Sequence, residues 1–124
     1  MWIEWNENGF KNSETAYMDG KLDGSYSIWG ANGHKIEEGY YKDNKKDGIF
    51  TIWDKNGQKI KLTAYMDGKE NGLWIHWYAN GKRSFEGTFK DGKQDGLGVY
   101  WYENGKKSYE GTFEDGELIK EKLY

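Results

Sequence analysis

Four glutamates, Glu14, Glu38, Glu86 and Glu110, recur at multiples of 24 residues, and a row of carboxylates is raw material for acid–base chemistry. Glycoside-cleaving pairs, however, hold their two carboxyl groups about 5–9.5 Å apart. If each repeat is a β-hairpin, equivalent residues lie two strands apart, roughly 10 Å. The spacing therefore predicts a structural surface row and no acid–base pair. A second row, Lys11, Lys35, Lys59, Arg83 and Lys107, could read an anion such as the phosphate of an acidic lipid, provided its cations are free. The whole chain carries 18 basic and 21 acidic residues, a formal charge of −3, so no basic footprint calls for direct nucleic-acid binding.

Other chemistries find less support. His34 and His76 are the only imidazoles and occupy non-equivalent repeat positions, which does not build a metal site. Ser13, Ser25, Ser27, Ser84 and Ser108 lie in no Gly-x-Ser-x-Gly elbow. The glycine-rich turns lack the Gly-x4-Gly-Lys-Ser/Thr spacing of a phosphate loop. With no cysteine there is neither disulfide nor thiolate chemistry. The chain is read as a non-enzyme, with no cofactor and no metal. An opening without a charged segment ahead of an apolar one leads us to expect a cytoplasmic protein.

What positions these residues is a repeat. Trp5, Trp29, Trp53, Trp77 and Trp101 keep one 24-residue interval, as do the turn pairs Asn8-Gly9, Asn32-Gly33, Asn56-Gly57, Asn80-Gly81 and Asn104-Gly105. A second turn series runs Asp19-Gly20, Asp43-Asn44, Asp67-Gly68, Asp91-Gly92 and Asp115-Gly116, preceded by Tyr17, Tyr41, Tyr65, Phe89 and Phe113. Gly24, Gly48, Gly72 and Gly96 follow in step. Asn-Gly and Asp-Gly between short β-branched and aromatic runs signal hairpins, because both residues of each pair tolerate the left-handed region. The expected fold is all-β: an elongated, twisted antiparallel meander of five 24-residue hairpin repeats in one domain. Its strands should be about six residues long and roughly nine or ten in number. The boundaries fall at a half-repeat 1–5, repeats 6–29, 30–53, 54–77 and 78–101, and a C-terminal repeat and cap 102–124.

Seven Trp, ten Tyr and five Phe outweigh the aliphatic residues, so burial must come from rings. Alternation along the strands separates two faces. One carries the repeating tryptophans with Ile3, Ile49, Leu73, Ile75, Leu97 and Val99, and is expected to be packed. The other carries Trp2, Tyr26, Phe50, Trp74 and Tyr100, joined by Tyr78 and Tyr102. Those seven residues are the candidate partner-binding site, since rigid amphipathic rings anchor interfaces. Leu123 falls on the packed parity, with Lys120 and Lys122 pointing away in a charged strand that guards the edge. The segment Trp2-Ile-Glu-Trp5 is less protected, which permits a homodimer through terminal sheet edges.

Phe85-Glu-Gly-Thr-Phe-Lys-Asp-Gly-Lys-Gln-Asp-Gly-Leu-Gly98 resembles a MORN repeat, and Tyr109-Glu-Gly-Thr-Phe-Glu-Asp-Gly116 matches its first half. The longer unit, Trp77-Tyr-Ala-Asn-Gly-Lys82 followed by Glu86-Gly87, is similar to the bacterial variant known as a YwqK-type antitoxin. Thr15-Ala16, Thr63-Ala64 and Leu62 depart from the pattern. The resemblance implies elongated antiparallel sheets that serve as protein-binding or dimerising platforms, some proposed to bind phospholipid. The variant's link to toxin neutralisation, with the aromatic face and the absence of catalytic motifs, leads us to expect a protein partner, a toxin or nuclease, held by an antitoxin-like or phage-type inhibitor. The alternative is a ligand- or anionic-lipid-binding module using the aromatic face or the basic row, with choline as a test ligand.

Overall fold

The computed structural model describes residues 1–124 and contains thirteen strands in one open antiparallel sheet. They are β1 (Trp2–Trp5), β2 (Lys11–Met18), β3 (Lys21–Trp29), β4 (Lys35–Lys42), β5 (Lys45–Lys46), β6 (Gly48–Trp53) and β7 (Lys59–Met66). They continue as β8 (Lys69–Trp77), β9 (Arg83–Lys90), β10 (Lys93–Gln94), β11 (Gly96–Trp101), β12 (Lys107–Glu114) and β13 (Glu117–Leu123). The short β5 and β10 continue into β6 and β11 across Asp47 and Asp95, so the chain crosses the sheet in eleven lanes. That exceeds the expected count because the half-repeat Trp2–Trp5 adds a lane to the ten of the five hairpins. Eleven lanes at about 4.8 Å spacing span roughly 48 Å, against about 27 Å for an eight-residue strand, and the sheet is elongated across its strands. There is no helix, and hence none long and apolar enough to cross a membrane.

The two turn series use different chemistry. At Asp19-Gly20, Asp67-Gly68, Asp91-Gly92 and Asp115-Gly116 both residues have positive φ, as do Asp43 and Asn44. This is the two-residue hairpin whose twist matches its strands. In the Asn-Gly series only the glycine is left-handed. There Gly9 N–H donates to the Asn6 carbonyl (3.1 Å) and Asn6 N–H to the Phe10 carbonyl (3.0 Å), closing a longer loop. The asparagines of this series thus do not use the left-handed region that they tolerate. Their side chains are used instead: Asn32 Oδ1 accepts from His34 N–H at 3.1 Å, and Asn80 and Asn104 repeat the contact.

Both margins of the sheet are laced between repeats. Asn8, Asn32 and Asn80 donate Nδ2–H to the carbonyls of Ala31 (2.8 Å), Lys55 (3.2 Å) and Glu103 (2.9 Å) in the next turn. On the other margin Asn44, Gly68, Gly92 and Gly116 donate N–H to Leu22, Lys46, Glu70 and Gln94. Only 10 of 124 residues are buried, so no enclosed core exists. Backbone ladders and cross-strand side-chain pairs carry the cohesion instead.

Candidate functional site

Cross-strand register assigns every side chain to a face. Thr15 pairs with Trp2 and Tyr26, Tyr26 with Gly39, and Thr63 with Phe50 and Trp74. Large rings on one strand type therefore face small residues on the other. A Cβ on Gly39 would stand 2.5 Å from the Phe50 ring, so this glycine is required by space. Thr15 and Thr63 fill the same role in the two departing repeats and are buried between their rings.

A second row, Tyr41, Tyr65 and Phe89, crosses Gly24, Gly48 and Gly72. The two rows interlock as a zigzag: Tyr26–Tyr41 (5.3 Å), Tyr41–Phe50 (5.5 Å), Phe50–Tyr65 (5.5 Å), Tyr65–Trp74 (6.4 Å) and Trp74–Phe89 (4.7 Å). It stops where Gly98 replaces the next ring. The contact then passes through His76 to Phe85, Tyr100 and Tyr109. Each such pair contributes about 0.5–1.5 kcal/mol beyond its buried area.

The candidate partner-binding residues scatter within this arrangement. Phe50 is 2 % exposed and is a keystone of the ladder, so its ring is not available to a partner. Tyr26 and Trp74 are half-buried, while Trp2, Tyr100 and Tyr102 are exposed. Tyr78 donates its Oη–H to the Trp101 carbonyl at 2.6 Å and braces the following repeat. Burial, then the Glu37 carboxylate, pushes the Tyr26 and Tyr41 phenols up, so both stay neutral. Burial, then Lys61, pushes His76 down. Trp74 Nε1 and His76 Nε2 are buried without a protein partner.

The opposite face corrects the expectation that it is the packed one. Ile75 and Val99 are buried, but Ile49 is 54 % and Leu97 51 % exposed, with Ile3 and Leu73 also exposed. A single-layer sheet has nothing to cover either face, so burial depends on neighbouring side chains. Val99 pairs across the strands with Glu86 and Glu110, and Ile75 with Leu62 and Glu86, so a long side chain on each flanking strand stands beside them. Ile49 pairs with Ala64 and Leu73 with Thr88, which are too short to do so. Leu123 is a further correction. It pairs with Tyr109 on the aromatic face, whereas Lys122 pairs with Glu110 on the other.

The acidic and basic rows, read separately in the sequence, meet on this face. Lys11–Glu14 (3.4 Å), Lys35–Glu38 (2.8 Å), Arg83–Glu86 (2.5 Å) and Lys107–Glu110 (2.9 Å) form ion pairs. A three-residue offset along a regular strand would put them on opposite faces. The register shift between Ile28 and Trp29, which sets Trp29 against Lys35, repeats at Trp5, Trp53, Trp77 and Trp101 and brings each cation round. The basic row is accordingly no free cationic stripe. Lys59 alone lacks a glutamate, because Leu62 stands in its place. No sequence signal marked the pairing, since it depends on a bulge.

A family model for the MORN repeat matches residues 85–107, and one for a MORN repeat variant matches residues 70–91. MORN repeats are therefore present, and neither family is enzymatic. No curated protein matches the chain, and no homologue supports the antitoxin designation.

Proposed function

We propose that this MORN-repeat chain is a non-enzymatic scaffold that holds a partner protein on the face carrying the ion pairs. The observation that supports it best is the exposed row Tyr40, Ile49, Leu73 and Leu97, which register aligns across the sheet. Five strand steps separate its ends, roughly 24 Å. Ion pairs run alongside, giving an apolar strip with a polar margin, the usual anatomy of an interface. Neutralisation of four of the five basic positions weakens the electrostatic attraction that an anionic membrane would need. A one-layer repeat sheet acts on another protein by covering it. The partner class we favour is thus an enzyme to be inhibited, a toxin or nuclease. Co-purification from the cell of origin, followed by mass spectrometry and an activity assay of whatever binds, tests this. A stoichiometric enzyme partner whose activity falls on binding supports the reading. A monomer that enriches nothing, yet pellets with anionic vesicles, overturns it.

A further inference from the structure

Two independent periodic series break at the same repeat. In the ion-pair row, Leu62 takes the place of glutamate and leaves Lys59 without a carboxylate. In the asparagine ladder, Asn56 makes no donation to the next turn, although Asn8, Asn32 and Asn80 all do. The second break has a local cause. Asp54 Oδ1 accepts the N–H groups of Asn56 (2.9 Å) and Gln58 (3.1 Å). Elsewhere the asparagine itself accepts the N–H two residues on, which fixes its side chain. Asp54 takes over that role and releases the Asn56 amide.

The two freed groups border one hollow. It measures about 300 Å³ and is lined by Asn56, Gly57, Gln58, Lys59, Trp77 and Gly81. The next repeat supplies an internal control, a hollow of about 280 Å³ lined by Lys82, Arg83, Trp101 and Gly105. There Arg83 is bound by Glu86 and Lys82 Nζ donates to the Asn104 carbonyl at 3.2 Å. Asn80 is spent on the ladder. The shape recurs at both places, but only the hollow beside Lys59 presents an ammonium and an amide with no partner of their own, next to the Trp77 ring.

We infer that this hollow is a carboxylate-binding site, filled by an aspartate or glutamate side chain or the C-terminus of the partner protein. The partner supplies the carboxylate that Leu62 removes from the row. Lys59 provides the charge, the Asn56 and Gln58 amides provide N–H donors, and Trp77 walls one side. The inference rests on the protein-partner reading and adds the chemistry of one contact.

The test uses the intact chain and a small probe, so it does not depend on finding the partner. N-acetylglutamate N-methylamide is titrated into ¹⁵N-labelled protein, with the glutamine analogue as the uncharged control. Shifts should concentrate on the Asn56 and Gln58 side-chain amides and the Trp77 indole, and appear with glutamate only. Leu62→Glu restores the residue found in the other four repeats. It should close the site from within, weakening the probe about tenfold while Lys59 is still present. Lys59→Met should have a similar effect. The inference is overturned if the glutamine analogue binds equally, if Leu62→Glu leaves the shifts unchanged, or if Arg83 and Trp101 respond as strongly. Tighter binding of inorganic phosphate would also overturn it, in favour of a phosphoryl anion. A Lys59→Met chain that still forms the stoichiometric complex with undiminished affinity would sink the site and leave the scaffold reading standing.

Discussion

The two faces of this sheet are built from the same repeat and solve different problems. On the aromatic face, rings in one lane lean over glycine or threonine in the next, and the ladder covers itself without a second layer. On the other face the long side chains are charged and pair with one another, leaving aliphatic residues uncovered between short neighbours. In a one-layer protein the large rings therefore hold the structure, and the aliphatic row behind them is left uncovered. The ion pairs add little to stability: exposed pairs contribute about 0–1 kcal/mol, less than ring–ring contacts that also bury area.

Substitutions on each face separate these two roles. The largest effect is expected at Phe50, where Phe50→Ala should cost about 3–5 kcal/mol and lower the urea midpoint sharply. Trp2→Ala, at a ring 61 % exposed, should barely move it. If the two variants unfold alike, the ladder is not the keystone. Gly39→Ala places a methyl against the Phe50 ring and should cost about 1–3 kcal/mol by overpacking, again read from denaturation.

Acidification should loosen the aromatic face next. His76 binds its proton less readily in the folded sheet than in the unfolded chain, so its contribution is complete above the ordinary imidazole value of about 6.5. That contribution is lost as pH falls through the depressed folded value. His76→Ile, the residue found at 28 and 52, should flatten stability between pH 7 and 5; an unchanged slope would assign the dependence elsewhere. The smallest effect belongs to the ion-pair face. Glu38→Gln should cost under about 1 kcal/mol and lose what cost it has at high salt. A large, salt-independent loss would contradict the division of labour between the faces.

The architecture was legible because the 24-residue interval never slips, and turn chemistry repeated at each interval leaves little choice of fold. Parity likewise sorted Phe50 from Thr51. Which face is covered was not legible, since that depends on whether a cross-strand neighbour is Ala64 or Glu86, and pairing register is a property of the folded sheet. The union of Lys35 with Glu38 was hidden for a related reason. A one-residue bulge at Ile36, opposite the step from Ile28 to Trp29, brings Lys35 to the face of Glu38, and nothing in the side chains announces the bulge. The free Lys59 becomes meaningful only once its four equivalents are seen to be occupied.

If the ion-pair face binds and the aromatic face supports, the dissociation constant of the co-purified partner should separate two folded variants, one altered on each face. Leu73→Ser with Leu97→Ser should weaken the complex at least about tenfold with the urea midpoint nearly unchanged. Trp2→Ala with Tyr100→Ala should leave the affinity as it was. The reverse pattern, with binding lost from the aromatic-face variant and kept by the other, would put the partner on the aromatic face.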